Sequence, residues 1–141
     1  MLPSVDDQLC FALYSASRAM TAAYAPLLAE LGLTYPQYLA MLVLWKQDGI
    51  RVSQLGEKLA LDSATLTPLL KRLETAGLVA RKRSREDERV VEVTLTAAGK
   101  RLEKKAEPVP GCILEKSGLS IKQLIALRTE LVELTAKLRA D

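Results

Sequence analysis

Asp62-Ser63-Ala64-Thr65-Leu66-Thr67-Pro68-Leu69-Leu70-Lys71-Arg72-Leu73-Glu74-Thr75-Ala76-Gly77 is the stretch that decides the fold. Asp62 is a short acidic acceptor just ahead of a periodic segment, the usual chemistry of a helix N-cap, and Gly77 is a natural stop. Between them Leu66, Leu69, Leu70 and Leu73 fall at i, i+3, i+4 and i+7, so they share one helical face. The opposite face carries Ser63, Thr67, Lys71 and Arg72. Pro68 is the awkward residue, because it withholds the donor that would bond the Ala64 carbonyl. Either the first turn is kinked or the regular helix starts nearer Thr67.

Upstream, Ile50-Arg51-Val52 is a short extended piece, and Ser53 is placed to cap a short helix from Gln54 to Ala60. Downstream, Leu78–Arg83 and Arg89–Leu95 read as two strands, with the polar segment Ser84–Glu88 as a charged hairpin tip. Short helix, tight turn, second helix with a polar outer face, then a basic hairpin: the pattern predicts a winged helix-turn-helix. The fold class is mainly α with a small β-hairpin wing. A helix of this kind fits the major groove of double-stranded DNA, where hydroxyls and cationic side chains address base edges and phosphates. The hairpin reaches the adjacent minor groove, whose negative potential favours an arginine.

The flanks read as helices. Ser4 and Asp7 have capping-box spacing, opening a helix to about Leu31 that Pro26 should kink and Gly32 should end. Thr34 and Gln37 have the same spacing and open a second helix through about Gln47. Thr96 caps Ala97 to about Glu107, Pro108 and Pro110 interrupt, and Cys112 lies just past Gly111. Ser120 then caps a last helix with Leu124, Leu127, Leu131, Leu134 and Leu138 spaced by three or four. That narrow seam suits a partner helix, although it would also suit packing on its own domain. The expected organisation is one domain over 1–141, with a DNA-reading core at about 34–96. Helices at about 4–32 and 97–141 would join two copies into a homodimer.

Composition narrows the function classes. A chain of 141 residues can bury most of its apolar surface in one domain. The net charge of +3 is modest but uneven, since Lys71, Arg72, Arg81, Lys82, Arg83, Arg85 and Arg89 crowd into less than a seventh of the chain. No apolar run reaches the ~18 residues that span a bilayer, and Asp6 and Asp7 are unlike the basic start of a secretory signal. A cytoplasmic location follows, with no membrane partner, and there two distant cysteines are poor candidates for a standing disulfide. Two cysteines and no histidine argue against zinc, so no metal site and no cofactor is implied.

Asp87-Glu88-Arg89 with Leu95-Thr96 resembles the D-x-R…L-T wing signature of the MarR family of bacterial regulators. Leu33 to Tyr38, Leu61 to Glu74 and Lys82 to Arg89 are similar to the organic-hydroperoxide-sensing, or OhrR, branch of that family. The likeness covers about residues 9 to 103. It implies that Asp87 orients Arg89 into the minor groove. It also implies that the helix from Ser63 to Ala76 reads DNA through Ser63, Thr65, Thr67 and Arg72. Lys71 and Arg85 belong with them as basic neighbours, and the site of action would be the bacterial nucleoid.

A cysteine on an apolar stripe is usually a small filler. Here Cys10, Tyr14, Ser17, Thr21 and Tyr24 share a stripe spaced four, three, four and three. The OhrR resemblance implies a reactive cysteine hydrogen-bonded by two tyrosines, matched by Cys10, Tyr24 and Tyr35, with Cys112 as resolving thiol of the two-cysteine type. Tyr24 is fourteen residues from Cys10, or about 21 Å along a helix at ~1.5 Å per residue. No tyrosine spans that, so a Cys10–Tyr24 contact requires a second chain. Phenol donors would stabilise the thiolate and make it nucleophilic toward a peroxide oxygen. Phe11, Met41 and Trp45 could supply an apolar approach for an organic hydroperoxide. The implied function is a repressor that releases its operator when Cys10 is oxidised. Two rivals compete with it: a MarR-type repressor answering a small phenolic or other ligand at the dimer interface, and a thiol peroxidase on a vestigial DNA-binding fold. The second lacks any C-x-x-C motif, and no enzyme activity is expected.

Overall fold

The computed structural model describes residues 1–140. A turn of 3-10 helix at Val5–Asp7 precedes α1 (Leu9–Ala29), and α2 spans Tyr35–Lys46. Thr34 closes the expected capping box on α2, accepting from the Gln37 amide at 3.3 Å while Gln37 accepts from the Thr34 amide at 2.9 Å. The box expected at Ser4 does not form. The Ser4 hydroxyl donates to the Asp7 carboxylate instead, and α1 starts later, behind Gln8, with no side-chain cap. Pro26 lies inside α1 close to its end, so only the last turn lacks its donor.

A short strand β1 (Ile50–Arg51) leads into α3 (Val52–Leu59), which therefore begins before Ser53 rather than being capped by it. The Arg51 amide finds its partner in the Gln54 side chain at 3.3 Å, so the first turn needs no hydroxyl cap. Next comes α4 (Ser63–Thr75), capped as expected, with the Asp62 carboxylate accepting from the Thr65 amide at 2.8 Å. Pro68 sits within a regular α4, whose start remains at Ser63. Leu66, Leu69, Leu70 and Leu73 are all buried. They meet a core that includes Leu28, Met41, Leu44, Ile50 and Leu55, each at most 1% exposed. Each such side chain contributes roughly 1.5–3 kcal/mol by leaving water.

The wing strands are β2 (Val79–Arg83) and β3 (Val91–Leu95). They belong to a three-stranded antiparallel sheet in the order β1-β3-β2, not to an isolated hairpin. Ile50 pairs with Val93 and Arg51 with Glu92, which ties the wing to the helix-turn-helix. Two residues are too few for β1 to show an alternating pattern in the sequence.

Helix α5 (Ala97–Ala106) packs on α2 and β3. Its N-cap, Thr96, makes three bonds in one place. Its amide donates to the Leu78 carbonyl (3.0 Å), its hydroxyl donates to the Gly77 carbonyl (2.6 Å), and the same oxygen accepts from the Gly99 amide (3.1 Å). Gly99 is buried against the Leu78 carbonyl, leaving no room for a Cβ, and its own carbonyl accepts from the Trp45 indole at 2.9 Å. These contacts put α5 in one compact unit with the DNA-reading elements, Met1–Glu107, and a second unit begins at Pro108.

The second unit holds α6 (Val109–Ser117) and α7 (Ile121–Arg139). The prolines end α5 at Ala106 as expected and also start α6: Pro108 is its N-cap and Pro110 lies in its first turn, where a missing donor costs nothing. Ser120 completes a capping box on α7, and none of that helix is buried. Among the described residues no helix is long and apolar enough to cross a membrane.

Gly99→Ala forces a methyl group against the Leu78 carbonyl. It should lower stability by about 1–3 kcal/mol, read as a drop in the urea midpoint at unchanged slope.

Candidate nucleic-acid interface and thiol site

With its leucines turned inward, α4 exposes Ser63, Thr65, Thr67, Lys71 and Arg72, together with Pro68 and Thr75. Pro68, Lys71, Arg72 and Thr75 line a shallow hollow of about 340 Å³. Cations and hydroxyls on an exposed helical face are the groups that hydrogen-bond phosphates and base edges. Each residue of this helix expected to face DNA is exposed.

The wing tip is a set of local bonds. The Ser84 amide donates to the Val90 carbonyl (2.7 Å), the Val90 amide to the Asp87 carbonyl (3.0 Å), and the Arg83 guanidinium to the Glu88 carbonyl (2.8 Å). Asp87 Oδ1 accepts from the Arg89 amide at 3.0 Å and from its Nε at 3.2 Å, and Oδ2 accepts from Nη2 at 3.3 Å. The Arg89 side chain nevertheless stays 90% exposed. An exposed ion pair contributes little to stability. What it does is hold a guanidinium in one direction while leaving its outer edge open. Hydrogen bonds from Arg89 hold the Asp87 carboxyl below the usual aspartate range, with a smaller push from the Arg51 charge. Arg85 is also exposed at the tip.

Cys10 is an exposed free thiol in the first turn of α1. Tyr14, one turn on, is exposed too, and the Arg18 guanidinium lies over its ring at 5.4 Å. Among the described residues, neither makes a side-chain hydrogen bond within one chain. Tyr24, at the other end of α1, instead meets Tyr35 and Tyr38 of α2, with ring centroids 5.0 and 5.7 Å away. Tyr35 and Tyr38 are 6.4 Å apart. Tyr38 is 2% exposed and was missed in the sequence, although its i, i+3 spacing from Tyr35 is visible there. Burial raises all three phenol pKa values, and the neighbouring rings add to this for Tyr24 and Tyr38.

Two expectations about the thiols need correction. Met41 is fully buried in the core and is not free to line an approach to Cys10; the Trp45 indole N–H is bonded to the Gly99 carbonyl with the ring half-buried, and Phe11 remains exposed beside Cys10. Cys112 is exposed, but it lies within regular α6, where its amide donates to the Pro108 carbonyl at 3.1 Å, and not in an irregular break.

A recognition helix with an exposed cationic face, joined to a wing that presents an oriented arginine, defines a winged-helix DNA-binding regulator. The family model for the transcriptional regulator SarA/Rot matches residues 22–106. The organic hydroperoxide resistance transcriptional regulator of Bacillus subtilis (strain 168) is 52% identical over 132 residues, 92% of this chain and 90% of that protein. The structure of reduced AbfR bound to DNA superposes with a TM-score of 0.79 at 36% identity, covering 96% of this chain and 95% of that one. Disulfide-formed AbfR gives 0.65 at 35% identity, covering 96% and 90%. The chain belongs to the MarR/SarA-type winged-helix transcriptional regulators.

Two outcomes are expected from this geometry. Arg89→Ala should weaken DNA binding and lower the slope of log affinity against log salt by about one; an unchanged slope removes the wing from the interface. The phenols of Tyr24, Tyr35 and Tyr38 should ionise above their ordinary value near 10.0. Their folded-state pKa values lie above the unfolded ones, so the stability they favour is complete below the unfolded value and is lost as pH rises through the folded one. Tyrosinate absorbance and thermal melts followed above pH 10 should show both effects.

Proposed function

We propose that this regulator is a repressor that senses organic hydroperoxides through Cys10 and leaves its operator when that thiol is oxidised. The observation that carries the reading is the separation of the thiol from the phenols. Cys10 is solvent-facing at one end of α1, while Tyr24 sits fourteen residues along the same helix, clustered with Tyr35 and Tyr38. Within one chain the two groups cannot meet. In a homodimer whose α1 helices cross, each thiol would reach the phenols of the other copy. Exposed Leu9, Phe11, Tyr14 and Met20 on α1 are apolar area that such a crossing would cover.

Phenol donors stabilise a thiolate, and the thiolate attacks the terminal oxygen of the hydroperoxide. The S–O bond forms as the O–O bond breaks; sulfur is oxidised to a sulfenic acid, and the alkoxide leaves and takes a proton to become the alcohol. The Cys112 thiol then attacks that sulfur, giving a disulfide and releasing water. One oxidation per site is a switch and not turnover, so no enzymatic activity is assigned. The relative from Bacillus subtilis is named for organic hydroperoxide resistance, and AbfR has both a reduced DNA-bound and a disulfide structure. These names favour a thiol switch over a response to a small phenolic ligand. The setting would be the bacterial cytoplasm, with the repressor on the nucleoid.

Cys10→Ser should bind DNA as the parent does and fail to release it when titrated with cumene hydroperoxide. Continued release by that variant sinks the thiol-switch reading. In the same titration, a non-reducing gel should show a covalent dimer that Cys112→Ser abolishes. A monomer with both thiols consumed would place the bond within one chain, and a free Cys112 would assign resolution to an external thiol.

A further inference from the structure

Between α4 and the wing lies a cleft of about 340 Å³ lined by Arg51, Ser53, Thr67, Arg81 and Arg89, with three valines. Three guanidinium groups therefore edge one hollow, yet they are not equivalent. Arg81 donates to Glu74 at 3.1 Å, and Arg89 is held by Asp87. Among the described residues, Arg51 is in neither ion pair. It is exposed, and β1 fixes its backbone opposite Glu92 of the wing. The cleft thus holds one cation outside those close ion pairs, near enough to Asp87 to lower its carboxyl pKa but not bonded to it, with the hydroxyl-bearing residues Ser53 and Thr67 beside it.

Duplex geometry says what would pass through such a place. Adjacent major and minor grooves are separated by a single sugar–phosphate strand, and the duplex carries one charge per about 1.7 Å of axis. A helix in the major groove and a wing in the next minor groove must straddle that strand. The gap between α4 and the wing is this cleft. A guanidinium matches phosphate geometry with paired donors, and hydroxyls commonly donate to phosphate oxygens. We propose that the cleft between α4 and the wing is a phosphodiester seat, in which Arg51 is the principal cation and Ser53 and Thr67 are neutral donors. This rests on reading α4 and the wing as the elements that enter the two grooves. It assigns Arg51, Ser53 and Arg81 to a surface for which the sequence named only Thr67 and Arg89.

The test uses the full-length protein, a duplex selected by it from a random-sequence pool, and a scrambled duplex of the same composition. Arg51→Gln should weaken binding to both duplexes by the same factor. Its salt slope should fall by about 0.9 for each subunit bound, about 1.8 for the homodimer, so that the parent-to-variant affinity ratio shrinks by about twelvefold between 50 and 200 mM salt. Arg51→Lys, which keeps a point charge, should keep the slope. Loss confined to the selected duplex would mean base readout, and an unchanged slope would mean no phosphate contact; either overturns the proposal. Selected duplexes carrying one neutral methylphosphonate, stepped along the strand, keep the test independent of how the variants fold. One position should weaken the parent protein and leave Arg51→Gln indifferent, and a duplex series with no such position overturns the proposal. Inorganic phosphate at matched ionic strength should compete no better than chloride. Competition that Arg51→Gln abolishes would make the cleft a free-anion site instead. Should the parent protein bind neither duplex, the DNA reading falls with it; should the parent bind and Arg51→Gln match it, the seat alone falls.

Discussion

The Thr96 side chain carries a disproportionate share of this architecture. One hydroxyl group accepts from the Gly99 amide in the first turn of α5 and donates to the Gly77 carbonyl just past the end of α4, while its own amide donates to the next carbonyl along. The end of the recognition helix and the base of the wing are thereby fixed at one point, and the bare backbone of Gly99 lets α5 close over it. A second tie runs from the Asp48 carboxylate, which accepts from the Leu95 amide at 2.8 Å. If α4 and the wing are to enter two adjacent grooves, the angle between them has to be constant, and short bonds among backbone groups hold an angle better than apolar packing alone.

The charges are arranged with similar economy. Of the basic residues crowded between Lys71 and Arg89, Arg81 is neutralised by Glu74 and Arg89 is steered by Asp87. Neither pair adds much stability in water. Their effect is directional: long cationic side chains that would otherwise sample many rotamers are already aimed. The entropy cost of ordering them is met in folding, before DNA arrives.

Much of this was legible in the sequence because it rests on local chemistry. Thr34, Asp62, Thr96 and Ser120 all cap the helices they were expected to cap, and the leucines of α4 are buried as their spacing requires. Failures came where a distant partner decided the outcome. Ser53 looked like a cap, but β1 pairing with Glu92 and Val93 moved the helix start to Val52. Pro108 and Pro110 do end α5, but they also fit at the start of α6, which the sequence pattern does not announce. Met41 was taken for part of a peroxide approach because sequence shows that a side chain is apolar, not which side of the helix meets the core. Tyr38 shows the converse: its spacing from Tyr35 is visible, but only the packing of α1 on α2 brings Tyr24 to the same place.

The start of α1 has a consequence for how a chemical signal and a fold coexist. Gln8 provides no side-chain acceptor, so the amides of the first turn are left to solvent, and Cys10 sits in that turn. Helix ends without caps fray and open at a small fraction of the free energy of global unfolding. A thiol placed there lies in a turn whose opening would leave the leucine core around Leu66 and Leu70 shut, so a chemical change at Cys10 need not be felt as denaturation of the fold.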